Sequence, residues 1–227
     1  MKTLFLTIIL TTTVVFTACR QNDTADTHST MNHNSMNGNM TNHNMMDHNS
    51  MTNGHSNMPE MTNMKSSPDA ASQPYDLQFI DTMAHHHEGA IQMSEMVLRK
   101  SQNEELKKFA QKIIDDQQKE IGQMKEWREK WFAGKPAAIN MEMPGMSDSM
   151  KMMSSSEMTK MEAMTGKDFD LYFLEMMIPH HQGAVTMAKD ALERVEHGEI
   201  KTLTNQIIKE QEAEIKKMTD WKIAWSK

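Results

Sequence analysis

Cysteine is almost absent from this chain: there is one, Cys19, in 227 residues. That excludes an intramolecular disulfide and leaves no thiolate ligand beyond position 19. No basic patch stands out either, and the formal net charge is −7, which argues against nucleic acid as a partner. Long apolar runs are lacking. The pronounced one, Leu4 to Phe16, is too short to span a bilayer. What the chain has in excess is methionine, 27 residues of it.

The N-terminus reads as an address. Lys2, the apolar run and Thr17-Ala18-Cys19 follow the charged, apolar and small-residue order of a secretory signal. Cys19, just past the expected cleavage point, makes the segment resemble a bacterial lipoprotein signal, although Phe16 stands where Leu is usual. The expectation is an extracytoplasmic protein, in the periplasm or anchored to a membrane by lipid on Cys19 alone. An oxidising compartment suits a chain that relies on thioethers, which form no disulfides. Thioethers also carry no proton to displace, so metal binding would persist in mild acid. Their weakness is oxidation to the sulfoxide.

The methionines cluster in polar surroundings. From Met31 to Met64 they alternate with His, Asn, Ser, Thr and Gly, and from Met141 to Met164 with Ser, Glu, Lys and Gly. Methionine used as core filler sits among Leu, Ile and Val at helical spacing. In a polar background its thioether is expected to meet water, which points to soft-metal binding: thioether and imidazole select Cu(I) and, by extension, Ag(I). In the tail the ligand candidates are His33, Met36, His43, Met45, Met46 and His48. Residues 20–74, with few aromatic or β-branched residues, are expected to be disordered without a ligand.

The rest of the chain is a duplication. At a constant offset of 94, YDLQFIDTMAHHHEGAIQMSEMVL from Tyr75 matches FDLYFLEMMIPHHQGAVTMAKDAL from Phe169. IIDDQQKEIGQMKEWREKW from Ile113 likewise matches IIKEQEAEIKKMTDWKIAW from Ile207. Each copy reads as a helical hairpin, over residues 75–133 and 168–227, with a Met-rich linker over 134–167. Ser101 and Glu104 have capping-box spacing, which predicts a helix start at Ser101. Gly134 and Pro136 mark the end of that helix, and His197-Gly198 the break in the second hairpin. Leu77, Ile80, Ala84, Ile91 and Leu98 predict one buried stripe. Leu106, Phe109, Ile113, Ile121, Met124, Trp127 and Trp131 predict another. Pro179 should kink the third helix and free a carbonyl near Glu175. One hairpin cannot bury its apolar face alone, so an all-α four-helix bundle is expected.

The chemistry lies in the repeated motif Met-x-x-His-His-x-Gly-Ala-x-x-Met, Met83 to Met93 and Met177 to Met187. On a helix Met83, His86, His87 and Ala90 share a face, and Met93 lies further along the same stripe; Met177, His180, His181 and Met187 do the same. Gly89 and Ala90 are small enough to admit a neighbouring helix or an ion. The partner helices bring Gln117, Glu120 and Met124, and Gln211, Glu214 and Met218, to a similar level. Glu120 and Glu214 either orient an imidazole or cap a polar layer. The four tryptophans, near helix ends, read as core at the end of the bundle.

The duplicated His-His-x-Gly-Ala motif in a Met-rich chain resembles the DUF305 family, over residues 75–227. The resemblance implies a ferritin-like helical bundle, copper or silver binding by Met and His, and a role in metal resistance. The expected function is copper binding without catalysis: Cu(I), with Ag(I) or Cu(II) as further ions, held for sequestration or handed to an efflux or chaperone protein by a monomer. The alternative is a ferritin-like di-metal carboxylate enzyme acting on iron or O₂. Such centres use Glu-x-x-His spacing, whereas Glu175 to His180 and Asp81 to His86 are each five apart. A third reading, a Met surface that binds partner helices, sits poorly with the Asn- and His-rich setting.

Overall fold

The computed structural model describes residues 65–227. The tail residues His33, Met36, His43, Met45, Met46 and His48, and Cys19, lie outside the described residues. Within them every regular element is helical: α1 (Tyr75–Lys100), α2 (Glu104–Phe132), α3 (Met146–Met152), α4 (Ser155–Ala163), α5 (Gly166–Arg194) and α6 (Gly198–Trp225), preceded by a 3-10 turn at Ala70–Ser72. Helices α1 and α2 pack as one hairpin and α5 and α6 as the other. The hairpins meet mainly through α1 and α5, and α3 packs against α5 and α1. The result is a bundle of four long helices with the linker folded onto it.

Several local details differ from the expectations. The N-cap of α2 is Asn103, not Ser101: Asn103 Oδ1 accepts from the backbone N–H of Glu105 (3.0 Å) and Leu106 (3.1 Å). An asparagine at the N-cap reaches these orphan donors directly, while Ser101 ends α1 and accepts from Asn103 N–H. As expected, Pro179 lies inside a helix, α5. The expectation of disorder over residues 20–74 fails where it can be checked: residues 65–74 are tied down, and 20–64 lie outside the described residues. Ser67 N–H donates to Ile139 C=O (2.7 Å), and Ser66 Oγ accepts from Met141 N–H (3.0 Å).

The predicted stripe on α1 is rotated. Leu77 and Ile80 are buried, but Ala84, Ile91 and Leu98 are only partly so. The fully buried face carries Met83, His86, His87, Ala90, Met93 and Val97. The motif face therefore is the core, because α5 and α3 cover it. On α2, Trp127 and Trp131 are half-buried and stack on each other, centroids 5.6 Å apart.

The linker overturns the reading of its methionines as water-exposed. Met143, Met146, Met150, Met153 and Met161 are buried in the main core. Polar neighbours in sequence misled because α3 is amphipathic: Ser147, Asp148 and Lys151 face solvent while Met146 and Met150, four apart, face inward. Two close approaches seat α3. Gly145 takes a left-handed φ of 83°, and a Cβ on Gly183 would fall 1.6 Å from Ser149 Oγ. The start of the linker is held by Asp81, whose carboxylate accepts from Arg128 Nε and Ala138 N–H, both at 2.8 Å.

Candidate metal centre

Four histidines occupy the middle of the bundle. His86 and His87 come from α1, His180 and His181 from α5, and none has any solvent exposure. Adjacent positions on a helix point about 100° apart, so each pair splits its tasks. His87 Nε2 lies 2.7 Å from Glu120 Oε2 on α2, and His181 Nε2 lies 2.9 Å from Glu214 Oε2 on α6. In each hairpin the carboxylate accepts the Nε2 proton, which leaves Nδ1 with its lone pair and no partner. His86 and His180 instead meet across the interface between hairpins, ring centroids 3.9 Å apart with planes tilted 39°. Both nitrogens of both rings lack a hydrogen-bond partner.

Burial pushes the His86 pKa well below the ordinary histidine value, helped by His180 and His87 nearby; burial does the same to His180, helped by His181 and His87. These rings are neutral, the form that donates a lone pair to a metal. Burial raises the Glu214 pKa, but the hydrogen bond from His181 and the charge of Lys112 more than offset it, so the pKa is lowered.

The motif thioethers share the buried core with the imidazoles. Met83, Met93, Met124, Met177, Met187 and Met218 are all wholly buried in the same core. Each methionine and histidine of the two repeated motifs is thus brought to the interior, together with Met124, Met218, Glu120 and Glu214. Among the described residues no group of three His, Cys, Asp or Glu converges with metal-binding geometry. Thioether sulfur is the other soft donor type in this core. Gly89 makes room: a Cβ there would fall 3.2 Å from His180 Nε2 and 3.3 Å from Met153 Cγ.

Two residues near this site were not singled out in the sequence. Met153, just past α3, lies over Gly89 as His180 does, and within the Met141–Met164 cluster nothing marks it out from its neighbours. Lys112 Nζ lies 3.1 Å from Glu214 Oε1. The repeat places Gln206 at the corresponding position, so the signal was a break in the duplication.

The model of a domain of unknown function, DUF305, matches residues 76–222. The chain belongs to the DUF305 family. Among solved structures similar to it, CopM in its Cu(II)-bound form is 40% identical, with a TM-score of 0.56, covering 66% of this chain and 97% of that one. CopM was also solved bound to silver (37% identity, TM-score 0.55, 66% and 96% covered). Its Cu(I)-bound form gives 37% identity, TM-score 0.55, and 67% and 99% covered. A DUF305 protein of Streptomyces coelicolor, assigned as secreted, is 32% identical with a TM-score of 0.61, covering 67% and 93%. No curated protein matches the chain. The DUF305 match begins at Asp76 and so takes in both copies of the His-Met face and the linker between them.

Proposed function

We propose that this DUF305 protein binds copper as Cu(I), with Ag(I) able to replace it, in the core between α1 and α5. The observation that carries the reading is the set of imidazole nitrogens with no partner: both on His86, both on His180, and Nδ1 of His87 and His181. Leaving a buried polar group unsatisfied costs about 1–3 kcal/mol each. A core that keeps six such atoms beside buried thioethers fits a soft ion that uses their lone pairs. The donors are neutral, so they favour the monovalent ion: a buried second charge would be poorly compensated. His86, His180, Met83, Met93, Met177 and Met187 are the ligand candidates nearest the interface. His87 and His181 would be oriented by Glu120 and Glu214, in the manner of carboxylate–histidine–metal pairs. Met124 and Met218 complete the thioether set, and Cu(II) is the weaker guest. The Cu- and Ag-bound forms of CopM support the same reading.

The finer proposal is a role outside the cytoplasm. There the protein would serve metal sequestration, resistance, or handover of the ion to an efflux or chaperone protein. Lipid on Cys19 would provide the anchor, and the Met- and His-rich tail would capture ions for the bundle.

The test is a titration against a Cu(I) competitor with Met83, Met93, Met177 and Met187 all changed to Leu. Leu conserves volume, so the fold should survive at a cost below about 1.5 kcal/mol per site. Cu(I) affinity should fall far more than Cu(II) affinity; an unchanged Cu(I) affinity would refute the reading for the bundle.

A further inference from the structure

The duplication relates more than the His-Met face. It also relates two corners of the bundle, where the turn of one hairpin meets the first helix of the other. At the offset of 94, Asp76 corresponds to Asp170, Asn103 to His197 and Trp131 to Trp225. At the first corner the Asp76 carboxylate accepts from the backbone N–H groups of Glu196 and His197, both at 3.0 Å, and lies 2.5 Å from His197 Nδ1. The His197 ring stacks on Trp131, centroids 3.9 Å apart and planes 19° apart. Trp131 also stacks on Trp127.

The second corner keeps the aspartate and the tryptophan pair but neither the imidazole nor the bonds from the turn to the aspartate: the Asn103 N–H donates to Ser101 Oγ (3.0 Å). Trp225 stacks on Trp221, centroids 5.1 Å apart, and among the described residues no histidine ring lies on it. Asn103, at the position of His197, uses its side chain to cap α2. In the place that the ring fills at the first corner there is a cleft of about 480 Å³, lined by Asn103, Lys167, Asp170, Ala224, Trp225 and others. Asp170 is only 8% exposed, and its Oδ1 has no hydrogen-bond partner. Burial raises its carboxyl pKa, partly opposed by the Ser101 hydroxyl.

We propose that this cleft binds a planar imidazole-type ring, which stacks on Trp225 and donates its ring N–H to Asp170, as His197 does to Asp76 at the other corner. The exposed Lys167 on the rim stands where the first corner has Gln73. Aromatic stacking and an N–H bond to a buried carboxylate supply the binding. The site shares no residue with the His-Met core and does not depend on copper binding there.

The test uses the metal-free full chain above pH ~8, where imidazole is neutral. Imidazole and, separately, N-acetylhistidine methylamide are titrated while the Trp225 indole N–H is followed by NMR. The Trp225 signal should shift saturably and those of Trp127 and Trp131 should not. Asp170→Asn should weaken binding roughly tenfold, the difference between charged and neutral acceptors. Asn103→His places the chain's own ring on Trp225 and should abolish binding. Tighter binding of the histidine amide identifies a histidine-bearing polypeptide as the ligand, and tighter binding of imidazole a free heterocycle. An unmoved Trp225 signal with both probes, or wild-type binding by Asn103→His, overturns the proposal.

Discussion

The His86 ring lies against the His180 ring at a centroid separation of 3.9 Å, in the buried seam between the two hairpins. One comes from each copy of the motif, so the contact exists only when both hairpins dock. Chemistry and tertiary packing are therefore joined at one point, and several outcomes follow from it.

Both rings have pKa values lowered by burial. The unfolded chain takes up these protons as pH falls through about 6.5, while the folded chain does not. More protons on the unfolded state mean that stability falls with falling pH below about 6.5, by up to ~1.4 kcal/mol per pH unit for each ring. Above that window the two rings contribute no pH dependence. Urea unfolding of the metal-free protein at pH ~7 and ~5 should show the loss, and His180→Gln should reduce it. Equal pH slopes for the two proteins would contradict the assignment of neutral rings.

Glu120 and Glu214 should matter to the metal more than to the fold. Glu120→Gln and Glu214→Gln keep a hydrogen-bond acceptor but lose the charge that polarises His87 and His181. Loss of such a partner typically costs 10- to 100-fold in metal affinity. Lys112 pairs with Glu214, not with Glu120, so Lys112→Met should change silver affinity in the wild-type background and have no effect once Glu214 is Gln. Competition titrations with Ag(I) read both effects.

Met153 lies beside His180 over Gly89, whereas Met161 is a buried methionine of α4. Met153→Leu should lower Ag(I) affinity with little loss of stability, and Met161→Leu should leave affinity unchanged. Truncation of either to Ala should cost about 2–5 kcal/mol in unfolding experiments. Equal silver affinity in the two Leu variants would place Met153 with the packing residues.

Glycines give a contrast in sign. A Cβ on Gly183 would fall 1.6 Å from Ser149 Oγ and 2.5 Å from Gly145 C=O, while one on Gly122 meets nothing within 4 Å. Gly183→Ala should displace α3 and destabilise by several kcal/mol, of the order seen for overpacked cores. Gly122→Ala, on the exposed side of α2, should stabilise by up to ~1 kcal/mol. Denaturant midpoints measure both.

Much of the architecture was legible because it is written twice. The offset between Met83 and Met177 located two hairpins, and helical spacing put His86, His87 and their methionines on one face. The stripe through Ala84, Ile91 and Leu98 misplaced the core by part of a turn. Apolar periodicity alone could not tell that α3 and α5 would cover a face containing histidines. The linker was misread for a related reason: seven residues of α3 are too few for periodicity to separate buried Met146 and Met150 from exposed Ser147 and Lys151.

The sequence by itself determined the duplication, the helical hairpins and the pairing of soft sulfur with imidazole nitrogen, since each depends on spacing along one helix. Only the tertiary structure decided that the linker methionines are core, that His86 meets His180, and that His197 covers Trp131 while Asn103 leaves Trp225 open. Those are contacts between segments far apart in the chain, set by how the hairpins and α3 fill a common volume, and no local pattern encodes them.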